Sequence, residues 1–111
     1  MVKRDIETTL LPVCRENAVS VLSYSSLALG LLSGKVGPER VFAEDDQHSA
    51  SVAQVVIAWT IAQPGITFSL CGARDPAQAV ENAAAARLRL TESELALIST
   101  GIAEHLVGLD T

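Results

Sequence analysis

The residues best equipped for chemistry in this chain lie between 72 and 82: Gly72, Arg74, Gln78, Glu81 and Asn82. They follow an apolar run, Ile66 to Leu70, that reads as a buried strand. A strand that ends in small residues and opens onto a helix offers backbone N–H groups above the strand end, an anion site in outline. Arg74 sets a fork-shaped cation at its rim. The pattern suits a nucleotide phosphate rather than a reacting bond. Plainer readings stand beside it. Gln78 falls where a capping residue would, Glu81 and Asn82 fit a solvated helix face, and Arg74 fits a surface cation paired with Asp75.

Other reactive types have no constellation around them. Cys14 and Cys71 form no CxxC and have no metal-ligand spacing, so they read as two reduced, buried thiols. His48 and His105 have no partner at metal-ligand spacing, and no metal site is expected. Tyr24, the only tyrosine, ends an apolar segment and is not assigned to proton donation. Trp59 reads as core.

The elements that must position these residues follow from periodicity and caps. Asp5 to Asn17 places Ile6, Leu10, Leu11, Val13 and Cys14 on one helix face. Ala18 to Tyr24 reads as a strand, Ser25 to Lys35 as the loop at its C-terminal end, and Val36 to Ser49 as exposed loop. Three helix starts match a capping box, at Ser51–Gln54, Asp75–Gln78 and Thr91–Glu94. The first helix runs to about Gln63, where Pro64-Gly65 ends it, with Val52, Val55, Val56 and Trp59 on its buried side. The last carries Leu95, Ile98, Ile102 and Leu106 as its apolar stripe. The predicted order is α-β-α-β-α-α, with short turns that imply parallel strands.

Composition bounds the partners. The 111 residues make about one small domain, 49% apolar but only 4% aromatic. A net charge of −5 argues against a nucleic-acid partner, which would need a basic face. Two long uncharged stretches, 18–34 and 49–73, are interrupted by serines, glutamines and Pro64-Gly65, so they read as buried soluble segments rather than membrane spans. No apolar leader core follows the charged N-terminus, and a cytoplasmic location is expected.

With the segments in place, the chain resembles the C-terminal third of an aldo/keto reductase. The likeness runs through Arg4-Asp5-Ile6-Glu7, Leu10-Leu11-Pro12 and Cys14-Arg15-Glu16-Asn17, then Val21 to Ala28 with Gly30-Leu31-Leu32-Ser33-Gly34-Lys35. It continues through Ser51 to Trp59, Gln63-Pro64-Gly65, Gly72-Ala73-Arg74 to Asn82, and Arg89-Leu90-Thr91-Glu92 with Glu94-Leu95. The resemblance implies part of a (β/α)₈ TIM barrel, with 1–111 as its C-terminal portion, a shortened 36–50 loop and a closing helix over 91–106. It implies an NADPH site in two pieces. Tyr24, Ser25, Ser26, Leu27, Ala28 and Leu29 would lie along the pyrophosphate, with Lys35 directed toward the cofactor. Gly72 and Arg74 would meet the adenosine 2′-phosphate, and Gln78, Glu81 and Asn82 the ribose and adenine.

The departures are informative. Ser26 replaces the family's proline, and the region between Asp46 and Ser51 is reduced to Gln47-His48-Ser49-Ala50. The family's tyrosine proton donor, with its Asp, Lys and His partners, belongs to the part this chain does not match, so no catalytic residue is assigned. By resemblance the chain is an NADP-dependent oxidoreductase fragment expected to be inactive alone. The alternatives are an inert remnant or nucleotide-binding module, or a subunit completed in trans by an N-terminal half. Two strands leave sheet edges unpaired, so either a marginal monomer or an oligomer that extends the sheet is expected.

Overall fold

The chain folds around one helix that is buried on all sides over half its length. Val56, Ile57, Ala58, Trp59 and Thr60 are consecutive and all buried. Five such residues in succession occur only where a helix has neighbours all round. In the computed structural model, which describes residues 4–24 and 50–105, this helix is α2 (Val52–Ile61). The elements run α1 (Leu10–Glu16), β1 (Leu22–Ser23), α2, β2 (Phe68–Ser69), α3 (Pro76–Ala84) and α4 (Glu92–His105), the order expected. Short 3₁₀ turns stand before α1 at Asp5–Glu7 and after α3 at Ala85–Arg87.

The start of α2 is fixed by its own residues. Ser51 Oγ accepts from Gln54 N–H at 3.3 Å, and Gln54 Oε1 accepts from Ser51 N–H at 3.0 Å, the expected capping box. Thr60, buried with the core, satisfies its hydroxyl on the Val56 carbonyl at 2.8 Å. Trp59 is 1% exposed, donates Nε1–H to Ser99 Oγ of α4 at 3.3 Å, and lies under the Arg4 guanidinium at 5.2 Å from the ring centroid. Arg4 is held there by a two-point pair with Glu7, at 2.7 and 2.8 Å. The Glu7 hydrogen bond raises the Arg4 pKa against a smaller lowering by burial. Leu11 and Cys14 of α1, Ala85 beyond α3 and Ile102 of α4 complete the buried apolar set.

The predicted helix over Asp5–Asn17 is divided. Thr8 and Thr9 hydroxyls both bond the Asp5 carbonyl, at 3.2 and 2.9 Å, and Pro12 has no N–H to give the Thr8 carbonyl in a continuous helix. Only Leu11 and Cys14 of the predicted face are buried, whereas Ile6, Leu10 and Val13 are exposed. At the other end Val19 N–H reaches the Cys14 carbonyl at 2.8 Å and Ala18 N–H reaches that of Arg15 at 3.3 Å. This Schellman closure puts Ala18 at φ +53°, where glycine is preferred. Ala18→Gly should therefore stabilise the chain by about 1 kcal/mol, read as a higher urea midpoint; an unchanged or lower midpoint would contradict the strain.

The strands are shorter than predicted and not buried. Closure of α1 consumes Ala18 and Val19, which the sequence suggested as strand. β1 and β2 pair in parallel, with Leu22 opposite Phe68 and Ser23 opposite Ser69. Phe68 and Leu70 are each 58% exposed and Leu22 56%, because no third strand among the described residues covers them. Gly65, after α2, sits at φ +96°, and a Cβ there would lie 3.1 Å from that of Leu11. Both the backbone and the close packing against α1 require glycine at this turn.

Candidate functional site

Parallel pairing decides where the site residues gather. The Val21 carbonyl accepts from Thr67 and Phe68 N–H at 2.9 and 3.1 Å, and that of Ser23 from Leu70 N–H at 2.7 Å. Both strands therefore end at the same edge of the sheet. Tyr24 leaves β1 there, 78% exposed, beside the exit of β2 toward Gly72. The rest of the first group, Ser25, Ser26, Leu27, Ala28, Leu29 and Lys35, lies outside the described residues, as do His48, Leu106 and the side chain of His105.

The second group is brought together around the start of α3. Asp75 caps the helix, its Oδ1 accepting from Gln78 N–H at 2.9 Å, and Pro76 follows at the first helical position. The capping box expected here closes one residue earlier than predicted: Gln78 Oε1 accepts from Arg74 N–H at 3.0 Å, not from Asp75. One turn on, Asn82 Nδ2 donates to the Gly72 carbonyl at 3.1 Å. Two of the N–H groups at this helix start, those of Arg74 and Gln78, are thus occupied by side chains of the motif itself. A helix-terminus anion site in its simplest form is not what these residues build.

What remains for an anion is the guanidinium and the open side of the turn. Arg74 is exposed and makes no ion pair among the described residues, so the pairing with Asp75 is not formed. The cap holds Asp75 on Gln78 instead. A Cβ added at Gly72 would meet nothing within 4 Å, which leaves room for an approaching group. Glu81 is tied through its backbone: its carbonyl accepts from Gln54 Nε2 at 3.0 Å, bridging α3 to the start of α2. Sequence spacing missed that bridge, since residues 27 apart carry no local signal for it. Gln54, Glu81, Val80 and Ala77 line a shallow open groove between these helices.

Beside the site, Cys71 is partly buried, its Sγ 3.6 Å from Ser69 Oγ, and both cysteines are free thiols. Among the described residues there is no cluster of His, Cys, Asp or Glu able to hold a metal, and no helix long and apolar enough to cross a membrane.

Comparisons with known proteins bear on the fold that carries these residues. The model of the aldo/keto reductase family matches residues 1–102. The methylglyoxal reductase YeaE of Escherichia coli is 36% identical over 101 residues, covering 86% of this chain and 34% of that protein. An NADH-specific methylglyoxal reductase of the same organism is 26% identical, covering 86% of this chain and 37% of that protein. Among solved structures, the glycerol dehydrogenase AKR11B4 of Gluconobacter oxydans superposes with a TM-score of 0.71 at 26% identity, covering 93% of this chain and 40% of that one. The chain thus spans about a third of the length of the curated relatives it matches.

Proposed function

Because the chain belongs to the aldo/keto reductase family, and its two parallel strands and their helices are part of a TIM barrel, we propose that it carries the adenosine side of an NADPH site. Gly72 and Arg74 meet the 2′-phosphate, and Gln78, Glu81 and Asn82 the ribose and adenine. Ser25, Leu27, Ala28 and Leu29 follow the pyrophosphate, with Tyr24 and Ser26 beside them and Lys35 directed toward the cofactor. The cofactor supplies a hydride; these residues bind and orient it. The observation that carries the reading is Arg74, an exposed guanidinium with no ion pair among the described residues, on a turn that its own helix holds in place. A phosphate dianion is the partner that best satisfies a fork of N–H donors. One of the relatives is named as NADH-specific, so the proposed preference for the 2′-phosphate rests on Arg74 of this chain and not on its relatives.

We assign no proton donor. In this reading Tyr24, the only tyrosine, stands on the cofactor side, and no residue is assigned to the proton transfer that reduction of a carbonyl requires. With free thiols in both cysteines, the cytoplasm is the compartment that suits it.

A second reading concerns completion of the barrel, by a separate polypeptide or a second copy. The exposure of Leu22, Phe68 and Leu70 favours it, since parallel strands are ordinarily covered on both faces.

One titration tests both readings. NADPH fluorescence, followed while light scattering reports mass, should saturate below millimolar NADPH without aldehyde turnover. No binding at millimolar NADPH removes the cofactor reading for this chain. A monodisperse monomer throughout counts against assembly with itself, and turnover by the chain alone would overturn the missing catalytic set.

A further inference from the structure

Gln78 and Asn82 stand four residues apart on one face of α3, and each spends one end of its carboxamide on the turn that precedes the helix. The chemistry fixes which end. Gln78 presents Oε1, because Arg74 offers an N–H, at 3.0 Å. Asn82 presents Nδ2, because Gly72 offers a carbonyl, at 3.1 Å. Residues 72 and 74 are therefore both clasped to the helix, on either side of Ala73.

Peptide geometry converts the two clasps into a direction. No described peptide bond is cis, and in a planar trans peptide the C=O and the following N–H point opposite ways. With the Gly72 carbonyl drawn toward α3, the Ala73 N–H faces away from it. With the Arg74 N–H drawn toward α3, the Arg74 backbone is fixed and its side chain leaves the turn from a set position. The space beside Gly72 on this turn is open.

We infer that Gln78 and Asn82 are positioning residues, which hold the 72–74 turn so that the Ala73 N–H and the Arg74 guanidinium converge on the cofactor's 2′-phosphate. The inference rests on the NADPH reading above. Each carboxamide keeps its other end, Gln78 Nε2 and Asn82 Oδ1, for the ligand itself. Preorganisation of this kind lowers the ordering cost of binding and so acts on affinity for the group the turn faces.

Two isosteric substitutions separate the clasp from direct contact. Gln78→Glu keeps the acceptor that Arg74 N–H uses. Asn82→Asp replaces the donor that holds the Gly72 carbonyl with a second acceptor, so that clasp opens. Each adds one negative charge to the same helix face, which matches their electrostatic penalty. Dissociation constants for NADPH and NADH, with melting temperatures to verify the fold, give the readout. Asn82→Asp should reduce the NADPH-over-NADH preference about tenfold, and Gln78→Glu no more than about threefold. The uncharged pair Asn82→Ala and Gln78→Ala, both of which open a clasp, should each reduce the preference, and serves if either acidic variant fails to fold. Equal effects of the two acidic variants, or losses equal for NADPH and NADH in every variant, would overturn the positioning role while leaving the NADPH site intact. Failure of the unaltered chain to bind NADPH would instead remove the site, and this inference with it.

Discussion

Arg74→Ala should weaken NADPH binding by ~10- to 100-fold and leave NADH binding unchanged. The size follows from what the guanidinium is asked to do. Charge-assisted hydrogen bonds to a phosphate are worth about 1.5–3 kcal/mol, and each 1.4 kcal/mol is tenfold in affinity. The selectivity follows from where the residue stands. Its side chain is exposed and makes no ion pair among the described residues, so its removal leaves folding stability within about 0.5 kcal/mol. No second cation stands between Gly72 and Pro76: Pro76 has no N–H, and the N–H groups of Arg74 and Gln78 are already engaged, which leaves the neutral Ala73 N–H. Arg74→Lys should fall between, since an ammonium keeps the charge and loses the fork. Calorimetric titration of both cofactors into each variant measures it. Equal losses for NADPH and NADH would mean that Arg74 supports the turn rather than the phosphate. No loss for either would place the phosphate elsewhere.

The second large effect concerns the fold that holds the turn. Trp59→Ala should abolish cooperative folding. Trp59 is 1% exposed in the middle of α2, bonded to Ser99 of α4 and covered by Arg4. Truncation of a buried tryptophan costs about 3–5 kcal/mol, which reaches the low end of the roughly 5–15 kcal/mol that holds a single domain folded. Trp59→Phe keeps most of the volume and loses only the N–H and some ring area, so it should remain folded at a cost of about 1–2 kcal/mol. Urea titration followed by circular dichroism distinguishes them without relying on the chain's one tryptophan. A cooperative Trp59→Ala transition less than 1 kcal/mol below that of the unaltered chain would contradict the central place given to α2.

The sequence and the structure agree best where interactions are local. Capping at Ser51 and Thr91 closes as the residues predict, with Glu94 N–H 3.3 Å from Thr91 Oγ1 and Thr91 N–H 2.7 Å from Glu94 Oε2. Element order and parallel pairing follow from the same local signals. Burial of the strands does not. An apolar run such as Ile66–Leu70 states what the residues prefer, whereas burial depends on neighbours that a run cannot supply. Hence Phe68 and Leu70 stand exposed. The apolar face predicted over Asp5–Asn17 shows the same limit, since Ile6, Leu10 and Val13 share its periodicity yet stay exposed.

The candidate site was legible as a set of residues but not as a set of bonds. Spacing put Gly72, Arg74, Gln78 and Asn82 near one another, and bonds join them at one turn, whereas Glu81 bonds toward α2. It could not say that Gln78 would reach past Asp75 to Arg74, or that Asn82 would take the Gly72 carbonyl. Both depend on the path of residues 72–74, which only the paired strand and the capped helix together define. The bonds also remove the simplest form of the anion site, and in the proposed function the weight of phosphate recognition then falls on Arg74 and Ala73.

Whether this turn holds the cofactor is tested most directly by amide resonances. Titration of the ¹⁵N-labelled chain with NADPH, and separately with NADH, reports each backbone N–H in turn. The Ala73 amide and the Arg74 side-chain Nε–H should shift with NADPH and far less with NADH, with smaller changes through Gln78, Glu81 and Asn82. Shifts that are the same for both cofactors at Ala73 and Arg74, or confined to residues away from 72–82, would contradict a 2′-phosphate site on this turn.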